Sequence, residues 1–255
     1  MDTTISERTD LPTLHPVASR EQWLAARKKL LEREKELTRL GDAVARERRA
    51  LPWVRMEKNY LFDTSDGRRP LADLFDGHHQ LVMQHFMLPP DWEQGCKSCS
   101  YMADHTDPTL IHLAQRDTAF VAVSRAPLAN IERFRQRMGW RFRWVSSHGT
   151  DFNRDFGVTF SADEVARGAT NYNFGGTARG QEMPGVSVFY KDEAGQVFHT
   201  YSTYGRGVEV MMHTYRLLDL TPKGRDEGDG IMAWVRHHDR YETQPAKAPG
   251  SCCGR

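Results

Sequence analysis

The chain has 255 residues, of which 39% are hydrophobic and 27% are charged, so it is long enough for one sizeable α/β domain and does not require two. Its 35 basic and 34 acidic residues leave a net charge of +1, which argues against a strongly basic nucleic-acid-binding protein and against an acidic disordered chain. No apolar run approaches the roughly 20 residues that span a bilayer, and residues 1–20 contain no secretory segment. We therefore expect a cytoplasmic protein with neither membrane nor nucleic acid as a partner.

The first predicted element is a long charged helix. Residues 1–18 are polar and interrupted by proline, which is typical of a flexible lead. A Ser-x-x-Gln capping box at Ser19 predicts where the helix begins, and Pro52 predicts where it ends. Apolar residues recur along it every seven positions, at Trp23, Leu30, Leu37, Val44 and Leu51. Residues 1–52 are therefore predicted to form a lead and an amphipathic arm, which packs on its own domain or joins two copies into a homodimer.

Strands alternate with helices from residue 53 to residue 241, which predicts a parallel α/β core. The predicted strands are 60–62, 80–87, 118–124, 142–147, 186–190 and 196–202, and the last predicted helix is 208–218. Residues 148–182 are rich in Gly, Asn, Asp and Ser and predict a long ordered insertion. Residues 242–255 have the composition of a flexible tail.

Cys96 and Cys99 form a C-x-x-C motif between a predicted buried strand and a predicted helix. Two cysteines three positions apart on a first helical turn share a face and can close a small disulfide ring. The free amides and the positive dipole end of the helix stabilise the first thiolate. We therefore predict thiol–disulfide exchange on a protein or small-molecule substrate without a cofactor, in which Cys96 attacks and Cys99 resolves. Lys97 and Ser98, between the two cysteines, would set the reduction potential and border the substrate.

A soft-metal site is the alternative for the same two thiols, because thiolates select copper or zinc. The remaining ligands would be His105, His112 or His199, or the adjacent pair Cys252 and Cys253 near the end of the sequence. Adjacent cysteines chelate one tetrahedral ion poorly, and the sequence contains no second C-x-x-C. We therefore predict no bound metal and keep metal binding as the second hypothesis.

Met183 and Pro184 stand just before the predicted strand 186–190, which a hairpin partner and a helix follow. This order of elements around a C-x-x-C helix resembles the thioredoxin fold, whose members carry a cis-proline against the active-site disulfide. The resemblance implies that Pro184 follows a cis peptide bond and shapes the substrate groove, with Met183 beside it.

Longer strings of the sequence resemble one bacterial family. They include ARKKLLEREKELTRL, RRALPWV, GCKSCS, RMGWRFRWVSS, DFNRDFGV, EMPGVSVFY and MAWVRHHDRY. These strings are similar to the thioredoxin-like family known as the domain-of-unknown-function 899 family, over about residues 21–241. The resemblance implies a thioredoxin-like fold with a central mixed sheet flanked by helices, related to the alkyl hydroperoxide reductase and peroxiredoxin group, and it implies no particular substrate.

The resemblance also allows a comparison with the peroxiredoxin loop, which reads Pro, three residues, Thr or Ser, two residues, Cys. Pro89 and Cys96 have this separation, but Glu93 holds the hydroxyl position. A carboxylate there would raise the pKa of the thiol by repulsion, and it cannot donate a hydrogen bond unless it is protonated. Dithiol exchange is therefore favoured, and peroxide reduction is a further alternative.

Polar residues end the predicted strands at the edge of the sheet where the C-x-x-C helix begins, which is where ligands bind in such sheets. Thioredoxins carry a buried acid near this point that relays a proton to the inner cysteine, and the resemblance implies that His85 takes this role. The alternative is a core histidine with satisfied hydrogen bonds. Arg125, which follows Ser124, would hold a thiolate or an anionic substrate. It would otherwise cap the next helix or pair with Asp151 or Asp155.

Three further features border the predicted site. Trp92, four residues before the first cysteine, would shield the disulfide or anchor its loop. His148, at the end of the third predicted parallel strand, would line a substrate pocket together with Ser124. Cys252 and Cys253 form either a mobile second thiol pair or an inert end, and both alternatives stay open.

Overall fold

The computed structural model describes residues 15–228 and 230–241. It divides into two compact units with the boundary between Leu51 and Pro52. Residues 1–14 of the predicted lead and the whole predicted tail, including both of its cysteines, lie outside the described residues. No described helix is both long enough and apolar enough to cross a lipid bilayer.

The first unit is a single helix, α1, which spans Arg20–Arg49. Its start is the predicted capping box: the Ser19 hydroxyl accepts the Gln22 N–H at 3.2 Å, and the Gln22 side chain accepts the Ser19 N–H at 3.0 Å. Two N–H groups that have no partner within the helix are thereby satisfied. Side chains of the apolar stripe are exposed, with Leu37 at 69%. That this stripe packs on its own domain or joins two copies stays a prediction.

The second unit is built on a mixed sheet. Its strands are Val54–Arg55 (β1), Leu61–Thr64 (β2), Gly67–Pro70 (β3), Gln80–His85 (β4), Thr118–Ser124 (β5), Arg143–Ser146 (β6), Gly185–Lys191 (β7) and Val197–Tyr204 (β8). Their order across the sheet is β1-β8-β7-β4-β5-β6-β2-β3. Strands β4, β5 and β6 are parallel, whereas β7 runs antiparallel to β4 and β8 antiparallel to β7. Strands β1 and β3 were not predicted, because one is two residues long and the other follows a turn directly.

Six helices accompany this sheet in the described residues. They are Lys97–Thr106 (α2), Leu110–Ala114 (α3), Leu128–Met138 (α4), Phe152–Asp155 (α5), Ala162–Ala166 (α6) and His213–Leu218 (α7). The predicted helix 208–218 is wrong in its first half, where a 3-10 segment spans Gly205–Met211. Glycines at 205 and 207 disfavour a regular α-helical start there. Helices α5 and α6 lie in the predicted insertion.

The alternation of side chains along β4 and β5 divides the core into two layers. Leu81 and Val121 pack in the layer that also contains Phe152 of α5. Phe86 and Ala122 pack in the layer that contains Cys99 of α2. Helix α2 therefore follows the central strand β4 in the chain, after a loop, and lies on one face of the sheet. With β7 and β8 completing the sheet on the other side of β4, this is the thioredoxin-like fold that the sequence predicts.

Candidate redox site

The C-x-x-C motif occupies the first turn of α2. Cys96 is the residue that caps the helix, with φ −55° and ψ 132°, and its carbonyl accepts the Ser100 N–H at 2.9 Å. The Cys96 N–H donates to the Met87 carbonyl at 3.0 Å, which ties the helix start to the end of the central strand. Cys96 is half-buried, Cys99 is 1% exposed, and both are free thiols. Cys96 is thus the more accessible of the two residues, and Cys99 is enclosed.

The two thiols have opposite protonation preferences. The pKa of Cys96 is lowered from 9.0 to about 6, chiefly by a hydrogen bond from the Cys99 side chain and further by the N–H groups of Cys99 and Ser98. The same hydrogen bond and complete burial raise the pKa of Cys99 well above 9.0, although the Met87 N–H, at 3.5 Å from its sulfur, opposes the rise. Near neutral pH the pair therefore holds a thiolate at Cys96 and a thiol at Cys99.

Gln84 is the side chain of β4 that faces the cysteine helix. It is fully buried, and its Nε2 donates to the Cys99 carbonyl at 3.1 Å. Its Oε1 has no hydrogen-bond partner within residues 15–228 and 230–241. The sequence analysis missed this residue and chose its neighbour, because the alternation of side chains gives the direction of a strand residue only once the register is known.

His85 faces the other layer of the core, so its predicted role beside Cys99 is wrong. Its Nε2 lies 2.8 Å from the Ser187 hydroxyl, and its ring stacks on Phe152 with centroids 5.7 Å apart. Complete burial lowers the pKa of His85 to about 3, so the imidazole is neutral at physiological pH. Hydrogen bonds continue from the Ser187 hydroxyl to the Ser202 hydroxyl at 2.8 Å, and from the Ser202 hydroxyl to His199 Nε2 at 2.7 Å. This is a buried histidine with a hydrogen-bonded partner.

Pro184 precedes β7, as predicted, but it does not follow a cis peptide bond, and neither does any other described residue. The segment is held extended, because Met183 N–H donates to the Val158 carbonyl at 2.9 Å and residues 159 and 182 form an antiparallel bridge. An extended residue before proline suits the ordinary trans bond. The Pro184 carbonyl accepts the Tyr172 hydroxyl at 2.7 Å, and this hydroxyl accepts the Gly205 N–H at 2.8 Å.

A cavity of about 480 Å³ adjoins the Cys96 loop. One wall is the segment after β4, and the other combines Arg125 with the strand that leads to β7. Its lining residues are Met87, Pro89, Pro90, Asp91, Trp92, Arg125, Arg179, Gly180, Gln181, Glu182 and Met183. Met87, whose carbonyl holds the Cys96 N–H, connects the cavity to the nucleophile. Trp92, Arg125 and Met183 therefore line one cavity, and their contact with a substrate stays a prediction.

Arg125, one of the two arginines that line this cavity, is neutralised by a carboxylate that was not predicted from the sequence. Arg125 Nη1 forms an ion pair with Glu182, whose side chain is only 7% exposed and also accepts the Thr159 hydroxyl. Burial raises the pKa of Glu182 and outweighs the opposing charge of Arg125. The predicted alternative partners, Asp151 and Asp155, instead bind Lys58 at 2.9 and 2.6 Å. No local pattern could join Arg125 to a residue that far along the chain.

Glu93 does not have the predicted effect on the nucleophile. Its side chain is exposed and borders a different cavity, of about 450 Å³, with Arg133 and Arg137. The pKa of Cys96 is lowered rather than raised, and Glu93 is not among the groups that shift it. The spacing of a sequence motif therefore did not give the direction of this side chain.

Two predicted pocket residues have other roles. The buried Ser124 hydroxyl donates to the Phe86 carbonyl at 2.6 Å and accepts the Trp144 indole N–H at 2.9 Å. His148 is exposed, its Nδ1 lies 3.1 Å from the Arg125 carbonyl, and it does not line the 480 Å³ cavity. Both therefore support the strand ends and were wrongly predicted to contact substrate.

Among the residues that the structure describes, the metal hypothesis finds no third ligand grouped with the thiols. His105 bonds the Tyr101 carbonyl and the Thr214 hydroxyl at 2.5 and 2.6 Å, and His199 packs against Phe156 and Phe189 in the layer opposite Cys99. Within the described ranges, no three His, Cys, Asp or Glu side chains are grouped so that they could hold a metal ion.

Comparison with known proteins gives the family. A family profile described as "bacterial protein of unknown function (DUF899)" matches residues 12–241. The chain belongs to this DUF899 family. None of the curated proteins searched matches it.

Several solved structures that resemble this DUF899 protein in fold are peroxiredoxins. Peroxidoxin BcpB from Mycobacterium tuberculosis is 14% identical at a TM-score of 0.42, with 66% of this chain and 96% of that chain covered. Peroxiredoxin Q from Xanthomonas campestris is 14% identical at 0.40, with 62% and 89% covered. A yeast mitochondrial 1-Cys peroxiredoxin is 16% identical at 0.39, with 66% and 78% covered.

The site of this DUF899 protein contains the groups that thiol chemistry requires. Cys96 is half-buried and its pKa is lowered, the protonated thiol of Cys99 lies one helical turn inward, and Met87, whose carbonyl accepts the Cys96 N–H, lines the 480 Å³ cavity.

Proposed function

We propose that this DUF899 protein is a thiol–disulfide oxidoreductase that reduces disulfides with the Cys96–Cys99 dithiol. The supporting observation is the unequal pair of thiols at the start of α2, with the pKa of Cys96 lowered to about 6 and that of Cys99 raised. At neutral pH most of the outer thiol is then in the nucleophilic form, whereas the inner thiol waits as a proton donor and second nucleophile.

The reaction has two exchanges. The Cys96 thiolate attacks one sulfur of the substrate disulfide, the substrate S–S bond breaks, and one substrate thiolate leaves with a proton from solvent. Cys99 then gives up its proton and attacks the Cys96 sulfur, which breaks the mixed disulfide and releases the second substrate thiol. The substrate gains two electrons and the protein retains a Cys96–Cys99 disulfide. An external thiol reductant, such as glutathione, restores the dithiol.

The 480 Å³ cavity is the proposed substrate site. The Arg125–Glu182 ion pair makes its wall polar but close to neutral, while Trp92 and Met183 offer apolar contacts. This composition favours a substrate without strong charge. We propose a cytoplasmic setting for the reaction, since glutathione keeps dithiols reduced there.

A redox titration with mass-spectrometric mapping of cysteine pairs tests the proposal. In glutathione buffers of graded potential, the full chain should form one intramolecular Cys96–Cys99 disulfide in a two-electron transition. The double variant Cys252→Ser/Cys253→Ser is the matched control and should keep this transition. Cys96→Ser should abolish disulfide reduction, and Cys99→Ser should accumulate the mixed disulfide. No Cys96–Cys99 disulfide at any potential, or full activity of Cys96→Ser, would refute the proposal.

Peroxide reduction is the second candidate, because Glu93 is exposed, lines a different cavity and is not among the groups that shift the pKa of Cys96. Here Cys96 would attack the terminal peroxide oxygen, the O–O bond would break to release an alcohol, and a sulfenic acid would form. Cys99 would then displace water and leave the same disulfide. Comparison of the second-order rates of the reduced protein with hydrogen peroxide and with a disulfide separates the two functions.

A further inference from the structure

The last described residues of the chain return to helix α2, the helix that carries the C-x-x-C motif. Residues 233–241, here called the C-terminal strap, cross the loop that carries Cys96. Val235 is fully buried, and it packs in a cluster with Tyr101 and Met102 of α2. The Ala233 carbonyl accepts the Lys97 ammonium at 3.2 Å. The strap thus contacts the residue that directly follows the first cysteine.

His237 of the strap contacts the residue that directly precedes the first cysteine. It is 8% exposed, and its Nε2 lies 2.9 Å from the Gly95 carbonyl. The N–H of the same Gly95–Cys96 peptide unit donates to the Met87 carbonyl at 3.0 Å. Both polar ends of the peptide bond before Cys96 are therefore held, one by the strap and one by the end of the central strand.

Packing holds the same peptide unit from a third direction. A Cβ atom at Gly95 would lie 2.5 Å from the Phe86 ring and 2.7 Å from the Phe134 ring. Both rings are buried, and Phe134 contacts the His237 imidazole edge-on with centroids 5.2 Å apart. The backbone at this point is enclosed by two aromatic rings and the imidazole.

Arg137 of α4 fixes which nitrogen of His237 donates. Its Nη2 lies 3.3 Å from His237 Nδ1, and since a guanidinium only donates, Nδ1 must accept. The proton of the neutral imidazole is then on Nε2, where it donates to the Gly95 carbonyl. Arg137 also binds the Gln94 side chain at 3.0 Å and the Asp239 carboxylate at 2.8 and 2.9 Å. Strap and loop therefore share one cation.

We propose that His237 is a positioning residue for Cys96, which holds the Gly95–Cys96 peptide so that the Cys96 sulfur stays within reach of the first-turn N–H groups and of Cys99. The inference rests on the proposed function in treating Cys96 as the nucleophile. The hydrogen bonds that favour the thiolate come from Ser98 and Cys99, and they require the Cys96 backbone in its present place. A freed Gly95 carbonyl would lose its partner in a buried place, which favours movement of the loop.

The test compares two replacements of His237 in the full chain with one neighbouring control. His237→Leu removes the donor, whereas His237→Gln keeps an N–H donor near the Nε2 position. His238→Asn removes the next imidazole of the strap, which binds Asp104 at 2.6 Å and not the cysteine loop. The readout is the rate of Cys96 alkylation by iodoacetamide from pH 4 to pH 10, with mass spectrometry to locate the label. Circular dichroism checks the fold of each variant.

We expect His237→Leu to move the midpoint of the Cys96 pH profile upward. A rise of one pKa unit from about 6 lowers the thiolate fraction, and hence the alkylation rate at pH 6, about fivefold. His237→Gln should recover most of this rate, and His238→Asn should match the wild type. A folded His237→Leu variant with the wild-type profile would overturn the proposal.

Hydrogen exchange on the wild-type protein provides a measurement that does not depend on the variants folding. The Cys96 amide should exchange as slowly as the amides of α2, and a rate typical of an exposed loop would equally overturn the proposal. Neither measurement uses a substrate. A protein without disulfide-reducing activity but with the expected His237 effect would thus refute the proposed function alone.

Discussion

Gly95→Ala tests how tightly the backbone beside the nucleophile is enclosed. The added methyl would lie 2.5 Å from Cε1 of Phe86 and 2.7 Å from Cε1 of Phe134. These rings are 1% and 2% exposed, so neither can turn into solvent to make room. Overpacking of a closed core costs about 1–3 kcal/mol. For a unit of this size, that lowers Tm by about 2–12 °C.

Thermal unfolding followed by circular dichroism or calorimetry measures this shift. Gly180→Ala is the matched control, because the nearest atom to a Cβ there is the Glu182 carbonyl oxygen at 3.9 Å. Its Tm should stay close to that of the wild type. Gly95→Ala should also alkylate more slowly at Cys96 near pH 6, because the displaced backbone carries the sulfur away from the helix N–H groups. An unchanged Tm for Gly95→Ala would refute the packing argument.

Three further predictions concern charge at the site. Cys99→Ser should raise the midpoint of the Cys96 alkylation profile above pH 6. The hydrogen bond from the Cys99 thiol contributes most to lowering the pKa of Cys96, and a serine side chain does not reach as far toward the Cys96 sulfur. An unchanged midpoint would contradict this. Burial lowers the pKa of His237 below 6.5, with Arg137 adding to the effect, so its contribution to stability is complete above pH 6.5 and is lost as the pH falls below it. Urea unfolding between pH 7 and pH 5 should show a smaller loss in His237→Leu, and equal pH slopes would count against the assignment. Arg125→Gln should leave Glu182 buried without its cation, so the pKa of Glu182, already raised, should rise further. The free energy of unfolding of Arg125→Gln should then decrease as the pH rises through the pKa of Glu182, by roughly 1–3 kcal/mol after allowance for the partial exposure of Arg125. Calorimetry should show that a second change, Glu182→Gln, restores the stability.

The sequence predicted the elements around the motif well because local rules fix them. The Ser19 capping box and Pro52 bound the first helix, and its start agrees with the structure to the residue. Strand β5 matches its predicted range 118–124 completely. Such signals depend on a few adjacent residues, so they survive whatever the rest of the chain does.

The direction of side chains at the site was predicted less well. His85 and Gln84 are neighbours on β4, and only one of them can face α2. The sequence analysis assigned the wrong one, since a run in which both faces are buried carries no alternation of apolar and polar residues to set the direction. Glu93 was misjudged for a related reason: its spacing from Cys96 fits a known loop, but its exposed side chain lines a different cavity together with Arg133 and Arg137.

The sequence by itself determined the C-x-x-C spacing, its place at a helix start and the thioredoxin-like order of elements, because helix caps, strand patterns and cysteine spacing are local properties. Only the tertiary structure decided what surrounds Cys96. Glu182 reaches Arg125, and His237 reaches the Gly95 carbonyl, across separations of 57 and 142 residues. Contacts at such separations depend on how strands β4, β5 and β7 and the C-terminal strap are arranged in space. No pattern of neighbouring residues encodes that arrangement.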